Sequence, residues 1–568
     1  MTPTPNTPTS DTATPNKPTP NNPTTGAESL LLVGNILTMS EDVPLTDDRP
    51  LTAEAMLVSE GIIVAVGSVA DLTKVAPAGS IRHDITGGWI MPGLIEPHGH
   101  PSDASMLLGD SVVDIRPVVV SEADAVMQKI TDALAEADPA VGLLANGWDP
   151  LLQKGLPTLS IEVLDALAGQ TPLVILHNSG HSAYFNSAAA QNAGVDASTP
   201  DPVGASYAHT DDGSLAGTAN ETSAVMTILK PLSDRLQADF PTVIRSYYAD
   251  LNKRGITAIG DLSWNPGVAV LLTGMIDRGE ISMRIRGYEM SGPAGKASVS
   301  LVNGTDALKQ IGIKIWADGS PWVGSIAASF PYLDTEATRA LGLEPHHTGR
   351  ANYTESELFD IALPYASEGW QMACHAHGDL AIDMVLTVYE RLITELGLVD
   401  SRFRIEHVGA MTLVQFERAE RLGVTVSVFV DHVYYWGDVL IDDLFGPEHG
   451  SRWADAGSAF HAGHRASFHN DGSVTPAEPF RNMQTAITRR ARSGRLLATE
   501  FEVSRINALR AHTTNAAWQL KEEGRLGVLA PGAHADFIVI DGDPLMIPVE
   551  ELAGLTVRET WVGGRRVF

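Results

Sequence analysis

The 568-residue chain predicts an α/β protein: a closed (β/α)8 barrel of the TIM type, with β-rich segments at both chain ends. Three observations predict it. The long middle alternates short apolar runs with amphipathic helical stretches, the pattern of β-α units in a parallel sheet. Segments near both termini instead read as short strands separated by turn signals. Polar residues of metal-binding chemistry recur at the ends of the middle's strands, the face on which barrels build their sites.

Taken in order, residues 1–28 contain no Leu, Ile, Val or aromatic residue. They can form neither the apolar centre of a signal peptide nor a buried helix face, and predict a disordered tail. SLLLVGNILTM and AEAMLVSEGIIVAVGSVADL follow as strands, and GRLGVLAPGAHADFIVIDGDPL and LTVRETWVGGRRVF repeat that texture at the other end. Between them come MPGLIEPHGHP, TPLVILHN, RSYYADLNKRGITAIGDLSW, IGIKIWADGS, LFDIALPYASEGWQMACHAHGD, RFRIEHVGAM, RLGVTVSVFVD and HRASFHNDGS. No run reaches the roughly 18 apolar residues that span a bilayer, so the expectation is a cytoplasmic protein without a membrane partner.

Composition narrows the function. The net charge of −30 repels polyanions and excludes nucleic acid as a partner. One cysteine, Cys374, excludes an intrachain disulfide and a cysteine-based zinc site. Ligands must then come from His, carboxylates and Lys. His98 and His100 end the first middle strand and, two residues apart, share a face. Lys314 lies inside IGIKIW, where a lone buried ammonium needs a partner or a modification. His375 ends WQMACH, His407 ends FRIEH and Asp471 follows ASFHN. These six residues at one barrel mouth predict a metal site.

The order of HGH after MPGLIEP, a strand lysine, HAHGD, IEH and a late aspartate resembles the amidohydrolase superfamily of metal-dependent hydrolases. IKIWADGS, HNSGHSAYFNSAA, CHAHGDLAID and RIEHVGAM are similar to amidohydrolase family 3, the branch that includes N-substituted formamide deformylase, over roughly residues 29–568. Beyond the tail at 1–28, the resemblance implies a β-sandwich split between 29–90 and 516–568 and a hydrolase barrel at 91–515. An insertion at about 101–250 would lie over the barrel mouth. It also implies that His98, His100 and Asp471 bind one divalent metal and His375 and His407 a second. Lys314, N6-carboxylated, would bridge the two; the alternatives are a single metal and an unmodified lysine paired with Asp318 or another carboxylate.

A divalent ion among neutral imidazoles and carboxylates lowers the pKa of water to roughly 7. Zinc is the first choice, and manganese, iron or cobalt also fit. Asp471 would carry a proton from the nucleophile to the departing nitrogen, and His181 would steady the oxyanion. The expected enzyme hydrolyses a non-peptide, amide-type C–N bond of a small apolar or aromatic molecule. The alternatives are ring deamination, lactone hydrolysis, isomerisation or decarboxylation on the same scaffold, and a non-catalytic binding protein.

Other residues read more plainly. His377 is expected to face away from His375, in a supporting or loop position, and Cys374 to be core. His464 and His469 read as surface or supporting groups, and Asp379 as the cap of the helix that follows it. Trp148, Trp264, Trp316, Trp322, Tyr434, Tyr435 and Trp436 divide between core and pocket wall, and GSLAGTANE places Glu221 near the entrance. Closed homo-oligomers are common for soluble enzymes; the assembly stays open.

Overall fold

The structure, a computed structural model, describes residues 29–40, 52–236, 240–292 and 295–568. The tail expected at 1–28 lies outside them. Strands β1 (Leu30–Leu37), β2 (Thr52–Ser59), β3 (Ile62–Gly67) and β4 (Ile81–Pro92) open the chain. Glu60 and Gly61 join β2 to β3 with φ of 52° and 76°, the two-residue turn that matches the twist of an antiparallel hairpin.

The chain then enters the barrel with β5 (Leu94–Gly99) and leaves it again. Strands β6 (Val113–Asp114), β7 (Leu143–Trp148), β8 (Leu173–His177), β9 (Ser182–Phe185), β10 (Ser206–His209) and β11 (Leu215–Asn220) form their own sheet, ordered β10-β11-β9-β8-β7-β6. TPLVILHN, which reads like a barrel strand, is β8 of this insertion. A fully buried apolar run looks the same in either sheet, because its pairing partners are distant in sequence.

The barrel resumes with β12 (Ile256–Trp264), β13 (Arg284–Met290), β14 (Leu308–Trp316), β15 (Gln371–Ala376), β16 (Arg404–His407), β17 (Thr425–Val428) and β18 (Ser467–Phe468). Together with β5 they make an eight-stranded sheet in which every neighbouring pair is parallel. The sheet nearly closes. Beyond β18, Asn470 N donates to Glu96 of β5, and His100 N donates to Gly472 O at 3.1 Å. Its strands are buried almost throughout, as parallel strands covered on both faces must be.

Helices Glu355–Ser367 and Leu413–Arg421 start at capping boxes of Thr354 with Glu357 and Thr412 with Gln415. Helix Asp379–Leu396 turns Ile382, Val385, Leu386, Tyr389 and Leu392 onto the core, an i, i+3, i+4 stripe. Its N-cap is Gly378 and Asp379 is its first residue, so Asp379 is not the cap; its carboxylate instead binds Ser329 N and Oγ.

Strands β19 (Phe537–Ile540), β20 (Val557–Val562) and β21 (Arg565–Arg566) return to the first four. The sequence suggests a split β-sandwich here; in the structure both chain ends share one sheet of seven strands, ordered β21-β20-β19-β4-β1-β2-β3. Leu32, Ile36, Met56, Ile90, Phe537 and Val539 pack as its core. Arg284 of the barrel and Asp536 pair across the junction.

Candidate active site

All six residues expected to form a metal site meet at the C-terminal ends of the barrel strands. His98 is the centre of the group. Its Nδ1 donates to Glu406 Oε2 at 2.6 Å, and since an ionised carboxylate only accepts, Nε2 carries the lone pair. That lone pair faces the Lys314 ammonium at 3.2 Å and Asp471 Oδ1 at 3.5 Å. His100 Nε2 lies 3.1 Å from the same oxygen without hydrogen-bond alignment. His407 Nδ1 is 3.8 Å from Asp471 Oδ2. His375 Nε2 donates to Gly319 O at 2.9 Å, which leaves its Nδ1 as the free lone pair.

Two histidines read otherwise from sequence belong to this centre. Residues two apart on a strand share a face, so His377 does not turn away from His375. The two rings are 4.8 Å apart, and His377 stacks on His407, also at 4.8 Å. His469, expected at the surface or in support, is fully buried, with Nε2 3.1 Å from His407 Nδ1 and Nδ1 2.9 Å from Ser427 Oγ. His464, by contrast, donates to Phe416 O away from the centre. Among the described residues, three trios place one ligand atom each within 4.8 Å of the others: His98, His100 and Asp471; His375, His377 and His407; His98, His407 and His469.

Electrostatics suit a cation. Burial pushes His98, His375, His377, His407 and His469 well below the usual imidazole range, and their mutual proximity and Lys314 add to it. They are therefore neutral, the form that ligates. Burial works against Asp471, yet the His100 contact and the positive field around it hold its carboxyl below the ordinary value. Lys314 has no carboxylate within ion-pair distance among the described residues. Burial pulls its ammonium down to about 8. The partner considered for it, Asp318, is instead occupied by the backbone N–H groups of Ala327, His377 and Gly378.

Glu406 is the site residue that the motif IEH contains and leaves without a role. It also takes Arg404 Nε at 2.7 Å and Nη2 at 2.9 Å, and all three side chains are completely buried. Two opposite charges two residues apart in a buried four-residue strand were the available signal.

The insertion sheet delivers His181 and Glu221. Their side chains meet at 2.8 Å, and the His181 ring lies 5.0 Å from that of His375. Glu221 also borders a cavity of about 670 Å³ lined by Trp148, Ser182, Tyr184, Ser325 and Asn352 among others. Of the aromatic candidates, Trp322 and Trp436 stack on each other at 4.8 Å, Trp264 is in the main core, and Lys314 lies over Trp316. Cys374 is core, as expected.

Residues 83–568 match the amidohydrolase family. An N-substituted formamide deformylase of Arthrobacter pascens is 24% identical over 498 residues, covering 85% of this chain and 88% of that protein. The protein LONG AFTER FAR-RED 3 of Arabidopsis thaliana is 26% identical over 511 residues, 86% and 84% of the two chains. The crystal structure of an uncharacterized metal-dependent hydrolase from Pyrococcus horikoshii shares the fold with a TM-score of 0.71 and 21% identity, over 92% of this chain and all of that one.

Proposed function

This chain belongs to the amidohydrolase family, and on that premise we propose that it uses a divalent metal to hydrolyse an amide-type, non-peptide C–N bond of a small apolar or aromatic molecule. The observation that carries the reading is the meeting of His98, His100, Lys314, His375, His407 and Asp471 at five strand ends.

The donor set fits a cation. The His98 Nε2 lone pair already faces one positive charge, the Lys314 ammonium, and Asp471 Oδ1 is buried without a hydrogen bond. His98, His100 and Asp471 would hold one ion, and His375 and His407 the other. The lowered basicity of Lys314 makes its free amine available to carbon dioxide. N6-carboxylation would replace an unpaired buried cation with an anionic ligand, the ammonium giving up two protons as its nitrogen adds to carbon dioxide. When bound, a divalent ion supplies Lewis acidity that polarises the carbonyl and acidifies water, and zinc suits these ligands.

The chain's own groups supply the rest. Asp471 takes the proton of the attacking water and returns it to the departing nitrogen. His181, held above the centre by the insertion, donates to the carbonyl oxygen as negative charge develops there. The 670 Å³ cavity beside Glu221 takes the apolar part of the substrate. The formamide deformylase relative supports the choice of N-substituted formamides as the first compounds to try.

The test is metal content by elemental analysis, on protein purified without chelator and with bicarbonate present. It is followed by a panel of formamides, other amides, lactones and ring amines scored for acid, ammonia and carbon dioxide. Two metal equivalents with acid and amine release are expected. A metal-free protein would overturn the reading.

A further inference from the structure

We infer that Glu221 is a positioning residue for His181: its carboxylate accepts a hydrogen bond from His181 Nδ1–H and so aims Nε2 at the reacting centre. This rests on the hydrolase reading above, in which His181 faces the substrate carbonyl.

The placement is built into the insertion hairpin. Strands β9 and β11 pair with Ser182 opposite Asn220, and the next residues outward on each strand are His181 and Glu221. Glu221 N donates to His181 O at 2.8 Å, so the backbone pairing continues to these two residues. Their side chains then meet at 2.8 Å through Nδ1 and Oε2. Glu221 adopts φ of +65°, a left-handed conformation that strains a residue with a Cβ. The turn of the chain there keeps the carboxylate against His181.

A structural role alone does not account for the charge. Both side chains are about nine-tenths buried, and His181 is the single ionic partner of Glu221 among the described residues. The second oxygen, Oε1, is buried with no hydrogen bond. A glutamine in the same place would avoid most of the cost of burying an anion. The charge is useful if the imidazole must bear positive character, as it does while Nε2–H donates to a developing oxyanion.

The pair is also tied to the metal centre. A Cβ on Gly319 would lie 2.1 Å from Glu221 Oε1, so only a glycine lets the carboxylate lie this close. The carbonyl of the same Gly319 accepts from His375 Nε2. One residue therefore spaces the Glu221–His181 pair from the metal-facing histidine.

The experiment is a double-mutant cycle on the metal-loaded, full-length protein with Glu221→Ala, Glu221→Gln and His181→Asn. It is read by kcat and KM on an amide from the panel. Glu221→Ala is expected to lower kcat on the order of 100-fold, with KM changed by less than about threefold and metal content unchanged. Glu221→Gln should recover part of the loss. In the His181→Asn background, Glu221→Ala should cost nothing more. An additive cycle overturns the inference, because a carboxylate that only braces the hairpin would cost the same in both backgrounds.

A second readout needs no substrate: the imidazole ¹⁵N spectrum of histidine-labelled protein, with His181 assigned by its absence in His181→Asn. Loss of the Nδ1 proton in Glu221→Ala is expected, and its retention overturns the inference. Failure of every panel compound would count against the hydrolase reading and leave this spectrum to decide the role of Glu221.

Discussion

Replacing Glu406 by Gln tests how the barrel prepares His98 for a metal. The substitution keeps shape and removes one charge. Glu406 now accepts three hydrogen bonds, two from Arg404 and one from His98 Nδ1, and none of the three side chains is exposed. A glutamine has one acceptor oxygen and one NH2 group. If the NH2 faces Arg404, it opposes a guanidinium that also can only donate. If it faces His98, the imidazole must present a lone pair at Nδ1, which moves its proton to Nε2 and removes the atom that would ligate.

Arg404 keeps Tyr288 Oη and Pro97 O as partners but loses its counter-charge, and a guanidinium does not escape by deprotonating. Breaking one side of a buried ion pair costs about 3–5 kcal/mol. Loss of the group that orients a metal-ligating histidine weakens metal binding about 10–100-fold. Urea unfolding of the metal-free proteins reads the first effect, and competition with a chromophoric chelator reads the second. Unchanged metal affinity in a destabilised Glu406→Gln protein would refute the argument about the His98 tautomer. Unchanged stability would refute the assignment of Arg404 and Glu406 as an ion pair.

The remaining expectations concern three separate groups. Lys314→Ala should reduce the metal content from two equivalents to one and abolish turnover, and wild-type protein stripped of bicarbonate should behave alike; two equivalents in the variant would exclude a bridging role. Gly319→Ala places a Cβ 2.1 Å from Glu221 Oε1 and 2.2 Å from Ser325 Oγ. Overpacking of that kind costs about 1–3 kcal/mol, and kcat should fall with KM nearly unchanged; full activity would show that the loop yields freely. Burial pushes Asp149 up from 3.8 to about 6, so the folded state keeps a proton that the unfolded chain loses. Stability is then lost as pH rises from about 4 to about 6, by about 3 kcal/mol for a difference of roughly two pH units. Asp149→Asn keeps one acceptor oxygen, for the Leu151 and Leu152 N–H groups, and gives up the one for Trp436 Nε1 at a cost that does not vary with pH, so its unfolding midpoint relative to wild type should rise between pH 4 and pH 7. A constant difference would contradict the sign.

The location of the candidate site was legible because it sits where strands end. HGH, Lys314, His375, His407 and Asp471 each interrupt or finish an apolar run, and polar residues at those places have few structural reasons to be there. The insertion sheet was less legible, because β8 is apolar on both faces and only its partners β7 and β9 distinguish it from a barrel strand. Strand β13 passed unseen for the opposite reason. Its sequence RIRGYEM carries Arg284 and Arg286, whose burial depends on Asp536 and Glu522 more than 200 residues away. Partners that distant leave no local trace, and the same holds for Glu406 and its His98.

What no pattern could convey is the backbone at the mouth. His407, Val408 and Asp471 have φ of 72°, 48° and 53°, and Glu221 has 65°. None of the four is a glycine or asparagine, the residues that adopt this region at little cost, and Val408 is β-branched, for which it is most unfavourable. Strain of about 1–3 kcal/mol at each persists only where surroundings over-determine it. Here they do: His407 is packed among His98, His375, His377 and His469, and Asp471 is fixed between His98 and His100. A regular strand would alternate Glu406 and His407 to opposite faces. The left-handed turn at His407 breaks that alternation at the strand end, so Glu406 supports His98 from within the barrel while His407 still reaches the same centre. Local conformational rules fail at these residues because the site needs neighbouring side chains to converge.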